Sequence, residues 1–244
     1  MEFRDVKAAI QGIPFTTPWL GRQLYDAIRE ADVREVLELG TAHAAATAYM
    51  AAAVAANGGG RVTTVDRHRF GHWDPEETIA KAGLTDYVEF VREDYSSYTW
   101  WLKRLIQERS DAAGNCQPLF DFCFLDGAHD WHIDGLAVLL VERLLEPGAW
   151  LVLDDYHWTY AGGTVPEYLP LSDEERHAHQ IAEVFDVLLR PHPSFDTFRV
   201  VDDAVAWARK GEGPRRLVLD VTTSRSDVFV KRLKMAARRL RARR

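Results

Sequence analysis

Five short apolar runs, each separated from the next by a helix-length segment, constrain this chain more than any other feature. They are Glu35–Leu39, Arg61–Val65, Tyr87–Val91, Phe120–Leu125 and Ala149–Leu153. Each is nearly continuous in apolar character, the pattern of strands covered on both faces rather than of strands with one wet face. Between them lie Ala42–Ala56, Pro75–Ala82, Tyr98–Ala112 and Trp131–Leu145, all long enough for helices, and Trp19–Ala31 reads as a lead-in helix. Such alternation predicts an α/β fold with a doubly wound, mostly parallel sheet and helices on both faces. Gly58–Gly60, Gly114–Asn115 and Pro147–Gly148 read as turns between the units.

After the fifth run the pattern breaks. The segment 157–171 is rich in aromatics, Gly and Pro and reads as a lid, with Gly162–Gly163 as its hinge. Ser172 and Glu175 form a capping-box signature, so one helix is expected from Asp173 to Leu189. Phe195–Val201 and Ala204–Ala208 suggest a hairpin around Asp202–Asp203, and Arg216–Val221 a further strand. Residues 1–224 are therefore taken as a single domain and 225–244 as a basic amphipathic tail.

Charge is divided along the same line. From Arg225 to Arg244 nine Lys/Arg face Asp227 alone, and since the whole chain is formally −7, the preceding residues carry −15. A body that acidic argues against general nucleic-acid binding. The tail has three readings: docking on the acidic body, remaining solvated, or weakly touching an anionic lipid or polymer surface. No apolar run reaches the ~18 residues of a membrane span. The first residues lack an apolar signal core, and with only Cys116 and Cys123 present a reducing, cytoplasmic setting is expected.

The chemistry gathers at the strand ends, where open α/β sheets hold their ligands. The first strand closes Glu38-Leu39-Gly40 before Thr41 opens the next segment, and the second ends at Asp66 followed by Arg67. Gly40 allows backbone to approach a ligand, Glu38 sets a carboxylate beneath it, and Asp66 is placed to accept ribose hydroxyls. After the third strand come Asp94 and Tyr95, an acceptor and an aromatic face suited to adenine. A nicotinamide dinucleotide fits less well, because Gly40-Thr-Ala-His-Ala-Ala lacks the second and third glycines of the pyrophosphate fingerprint.

These residues resemble the class I S-adenosylmethionine-dependent methyltransferases, whose first motif is an acid-x-Gly segment and whose second is the acid ending strand two. The resemblance covers about Val33 to Asp155 and implies a Rossmann-like, seven-stranded sheet. It also implies S-adenosyl-L-methionine as cofactor, bound by Glu38, Gly40, Thr41, Asp66, Arg67, Asp94, Tyr95 and Asp126. Where relatives carry further loop glycines, this chain has Ala44 and Ala45.

The fourth strand ends Leu125-Asp126-Gly-Ala-His129 and the fifth Leu153-Asp154-Asp155-Tyr156-His157. Adjacent parallel strands lie about 4.8 Å apart, so three carboxylates would converge and repel unless a hard cation such as Mg²⁺ or Mn²⁺ joined them. A bound cation also eases ionisation of a hydroxyl nucleophile. Both strings look like the metal-dependent sugar O-methyltransferases that modify macrolide and related glycosides. That resemblance implies Asp126, Asp154 and Asp155 as metal ligands and His129 as the catalytic base, with Asp126 serving both groups.

Trp131, Tyr156, His157, Trp158 and Tyr160 crowd the same rim and are candidate acceptor contacts, though amphipathic aromatics also pack there for structural reasons. The expected acceptor is a small molecule or oligosaccharide, with a mannose-containing one in view, and the expected assembly is a homo-oligomer. A phenolic or catechol-like acceptor remains open, as does an inactive nucleoside-binding module. A metal-dependent hydrolase would leave Glu38, Gly40 and Asp66 unexplained. A base methylase would carry an Asn/Asp-Pro-Pro-aromatic string where Asp154-Asp155-Tyr156-His157 stands.

Overall fold

The computed structural model describes residues 1–67, 74–93, 98–162 and 170–212. Its elements run α1 (Phe3–Ala9), α2 (Pro18–Glu30), β1 (Glu35–Leu39), α3 (Ala45–Ala56), β2 (Arg61–Asp66), α4 (Pro75–Lys81) and β3 (Val88–Arg92). They continue with α5 (Tyr98–Arg109), β4 (Phe120–Leu125), α6 (Trp131–Glu142), β5 (Leu145–Leu153), α7 (Asp173–His177), α8 (Gln180–Glu183), β6 (Phe195–Val201) and β7 (Val205–Lys210). The seven strands form one sheet in the order β3-β2-β1-β4-β5-β7-β6. The first five are parallel; β7 is antiparallel to both β5 and β6. This is the mostly parallel, doubly wound, Rossmann-like fold expected from the apolar runs.

Residue alternation shows why both faces are covered. Val36, Val62, Phe122, Phe124, Val152 and Trp207 pack with α1, α2, α3 and α4 on one side. Leu37, Leu39, Cys123, Leu125, Leu151, Leu153, Ala206 and Ala208 pack with α5 and α6 on the other. Helix α3 is buried on every side, which is why its composition is almost wholly alanine: small side chains let α2 and the sheet close on it together. At Gly21 of α2 even a Cβ would lie 2.2 Å from the Tyr49 ring. Thr17 caps α2 by accepting from Leu20 N (3.2 Å), with Pro18 at its first position.

Several elements differ from expectation. Helix α3 begins at Ala45 rather than Ala42, because Ala42 and Ala44 take left-handed backbone (φ 41° and 61°). Pro147–Gly148 is not a turn: β5 starts at Leu145 and carries both residues through an irregularity in its pairing with β4. The single helix expected over 173–189 is broken. Ser172 caps α7 with the full capping box, Ala178 turns extended (ψ 143°), and α8 runs into a π-helical turn over Val184–Leu189. The break serves Gln180, whose Oε1 accepts from Trp131 N (2.7 Å) while its Nε2 donates to Glu175 O (2.7 Å). Helix α1 was not anticipated. The hairpin of β6 and β7 turns on Asp202 and Asp203 (φ 51° and 52°), the left-handed pair that a tight hairpin favours.

Among the described residues, 1–110 and 116–212 belong to one compact unit. The proposed strand at 216–221 and the basic tail lie outside the described residues, as do lid residues 163–169. Among the described residues no helix is long and apolar enough to cross a membrane. Cys116 and Cys123 are free thiols.

At the end of β7 the buried Lys210 Nζ donates to Glu142 O (2.5 Å) and Leu145 O (2.7 Å) and lies 3.6 Å from Glu142 Oε1. It ties the end of α6 to the start of β5. Lys210→Met would strand that carboxylate and two carbonyls, and is expected to cost about 3 kcal/mol. Urea unfolding measures it; an unchanged midpoint would show the pair to be incidental.

Candidate active site

The site begins where β1 ends. Gly40 has φ 101°, and a Cβ there would lie 1.9 Å from Asp126 O, so only glycine lets the rims of β1 and β4 meet. Its N–H donates to Val65 O (2.9 Å), continuing the ladder past the strand. Thr41 N and Ala42 N then donate to Asp66 Oδ2 (2.9 and 3.0 Å), and Arg67 N donates to Oδ1 (2.6 Å). Thr41 Oγ1 and Thr64 Oγ1 share a 2.6 Å hydrogen bond. Asp66 thus fastens the loop as well as standing where ribose hydroxyls were expected. Ala44, fully buried and left-handed, occupies backbone that glycine would enter without strain.

Glu38 is 1% exposed. Thr47 Oγ1 donates to its Oε2 (2.5 Å), while Oε1 is buried without a partner. Burial pushes the carboxyl up to about 8 against the Thr47 and Thr64 hydrogen bonds, so Glu38 is protonated near neutrality. An orphaned polar atom beside a glycine loop is the kind of group a bound ligand's polar atoms satisfy. The residues present therefore fit a nucleoside cofactor seated at Gly40.

Across the rim, β4 delivers Asp126 and β5 delivers Asp154 and Asp155. Ligand atoms of Asp126, His129 and Asp155 lie within 4.8 Å of one another. His129 Nε2 is 3.8 Å from Asp126 Oδ1 and 3.4 Å from Asp155 Oδ2. Both His129 (φ 56°) and Asp155 (φ 55°) hold left-handed backbone, which swings them into this cluster. Asp154, expected as the third carboxylate ligand, is not among the three whose ligand atoms meet within 4.8 Å, but it lies close enough to act on them. Its charge is still felt. Burial and then the Asp154 and Asp155 carboxylates hold Asp126 well above the ordinary range, and burial with Asp155 raises Asp154 to about 6. Two carboxylates with an imidazole, poorly neutralised, form a donor set that fits Mg²⁺ or Mn²⁺.

The aromatics divide. Trp158 tilts on His129 with centroids 5.3 Å apart and sits at the rim. Tyr156 packs edge-on against Phe185, Trp131 packs on the α5–α6 side of the core, and His157 is exposed beside His179. Tyr160, expected among the acceptor contacts, is 4% exposed, and its hydroxyl donates to Ala128 O (2.6 Å). Asp94 and Tyr95 lie outside the described residues; the preceding Glu93 is ion-paired with Arg104 of α5. Phe15 was missed: its ring stacks on His43 at 4.9 Å from a left-handed backbone (φ 77°). So were Tyr98 and Asp134, which no motif marks.

Residues 37–156, which hold β1 through β5 and the rim between them, match the model of a family described as a methyltransferase domain. This stretch of the chain is similar to that family over just under half of its length. Among solved structures, the cofactor-bound protein Rv0187 from MTB is similar at 22% identity and a TM-score of 0.60, over 86% of this chain and 88% of that one. The O-methyltransferase TomG from Streptomyces achromogenes, involved in tomaymycin synthesis and solved with SAM, is 19% identical (86% and 91% covered, TM-score 0.59). An O-methyltransferase from Bacillus cereus in complex with SAH is 18% identical (86% and 92%, TM-score 0.61). At these identities the likeness establishes the fold. No curated protein matches the chain.

Glu38 gives the site a pH signature. Its folded value of about 8 exceeds the ordinary 4.5, so the stability it contributes is full below about pH 4.5 and is lost as pH rises through about 8. Glu38→Gln should flatten that decline. Thermal melts of the ligand-free protein should show the variant gaining on wild type between about pH 5 and about pH 8; parallel curves would mean Glu38 ionises normally.

Proposed function

We propose that this protein is a methyltransferase that uses S-adenosylmethionine to methylate a hydroxyl group, assisted by Mg²⁺ or Mn²⁺. The acceptor in this reading is a sugar hydroxyl of a glycoside, oligosaccharide or polysaccharide precursor, a mannoside among them. The observation that carries it is the meeting of Asp126, His129 and Asp155 within 4.8 Å at the strand rim beside Gly40. The orphaned Oε1 of Glu38 supports cofactor binding on the other side of that glycine.

S-adenosylmethionine, when bound, would supply the electrophilic methyl group, the electron pair of its carbon–sulfur bond remaining on sulfur. Asp126 and Asp155 would hold the cation, which supplies Lewis acidity toward the acceptor oxygen. His129 Nε2, beside both carboxylates, takes the hydroxyl proton as the new carbon–oxygen bond forms, leaving a methyl ether and S-adenosylhomocysteine. Trp158 offers an aromatic face next to that base, and a sugar's C–H face or a flat phenol can lie against it. Because His129 stands inside the cluster, a second role as a cation ligand is also favoured by its 3.4 Å approach to Asp155.

Asp155→Asn is expected to lower turnover by about 100-fold while S-adenosylhomocysteine affinity, read by calorimetry, stays within about threefold. Loss of cofactor binding instead would sink this division of the site. His129→Gln separates the two histidine roles: as base alone, it abolishes turnover and leaves Mn²⁺ affinity unchanged. A panel of glycosides and catechols, run with chelator and then with Mg²⁺ restored, tests acceptor and metal together. Turnover on catechols alone would replace the sugar reading, and full activity under chelator would remove the cation.

A further inference from the structure

The turn that carries Asp126 and His129 is gripped from beneath. Ala128 N donates to Tyr98 Oη (3.1 Å), and Ala128 O accepts from Tyr160 Oη (2.6 Å), so both backbone polar groups of one residue are held by tyrosine hydroxyls. Tyr98 in turn donates to Asp134 Oδ1, and Asp134 Oδ2 accepts from Asp130 N (3.2 Å). Asp134 is fully buried, Tyr98 is 7% exposed and Tyr160 4%. A Cβ on Gly127 would lie 2.3 Å from Tyr98 Oη, so the glycine exists to admit that hydroxyl.

We propose that Tyr98, Tyr160 and Asp134 are positioning residues that hold His129 and Asp126 in their working geometry. The peptide joining Ala128 to His129 is the plane from which His129 turns to φ 56°. An imidazole-bearing residue holds left-handed backbone only where its surroundings over-determine it. Tyr160 fixes one side of that plane through Ala128 O; Tyr98 fixes the residue before it; Asp134 accepts from Tyr98 and so aims its lone pairs at Ala128 N. Tyr160 also packs edge-on against Trp158 (4.5 Å), whose ring lies against His129, so the same side chain steadies the imidazole from two directions. Buried carboxylate and tyrosine hydroxyls, each with its partners, are groups that a turn without a task would not assemble.

The inference rests on reading this rim as a metal-assisted methyl-transfer site. The test uses full-length Tyr98→Phe, Tyr160→Phe and the double variant, which delete hydroxyls and keep the rings. Each is checked by circular dichroism and thermal melting, titrated with Mn²⁺ in the presence of S-adenosylhomocysteine, and assayed for turnover. Mn²⁺ affinity and kcat are expected to fall about tenfold in each single variant, with S-adenosylhomocysteine affinity within about twofold of wild type. The double variant should lose less than the product of the singles, because both hydroxyls secure one turn. If the singles merely melt earlier, and Mn²⁺ affinity and kcat well below the melting point equal wild type, the inference is overturned. Should one variant not fold, the other single carries the same comparison. Failure of the underlying reading shows differently: wild type itself then neither binds Mn²⁺ nor transfers methyl groups.

Discussion

Everything at the rim depends on backbone meeting backbone at Gly40. Any side chain there would run into the carbonyl of Asp126, and β4 would have to retreat from β1 to make room. That retreat would press β4 toward β5, change the separation of Asp126 from Asp155 and carry the whole turn to His129 with it. A missing methyl group on one strand therefore sets the distance between acids on two others. The loop that follows is tied down by Asp66 rather than left to a ligand, so the cradle stands before anything occupies it.

Around that cradle the sheet concentrates acids where water is scarce. Glu38, Asp126, Asp134 and Asp154 all sit above the ordinary carboxylate range, and burial is the first cause in each case. A fold that needed only stability would avoid this, since each such group opposes folding once it ionises. The grouping makes sense if positive charge arrives from outside, as a sulfonium on one side of Gly40 and a metal ion on the other. Buried acids that titrate abnormally are for the same reason a recognisable mark of sites with work to do.

Much of this was legible in the residues alone. Period and length of the apolar runs were enough for five parallel strands, because a strand buried on both faces has few other ways to look. The hairpin at Asp202–Asp203 and the cap at Ser172 were readable from turn and capping chemistry that acts within four residues. What escaped depends on distant partners. Nothing local says that 173–189 must break so that Gln180 can reach Trp131, or that Pro147 and Gly148 should ride inside a strand. At the site, Asp126, His129 and Asp155 stood out by type and spacing. The left-handed torsion at Asp155 was invisible, since nothing local to the Asp154-Asp155 pair calls for it. Tyr98 and Asp134 lie 30 or more residues apart in the chain and meet only in the fold.

The torsions at His129 and Asp155 have a consequence for how such a site can change. Histidine, aspartate and asparagine are the side-chain-bearing residues that enter left-handed backbone most readily, so these two positions are filtered twice, once by donor chemistry and once by conformation. Glutamate offers the same carboxylate as aspartate but enters that region less easily, and an otherwise mild exchange at 155 would aim the donor elsewhere. Drift at this rim is confined to a very short alphabet, and new chemistry would more easily arise from the neighbouring aromatics than from His129 and Asp155.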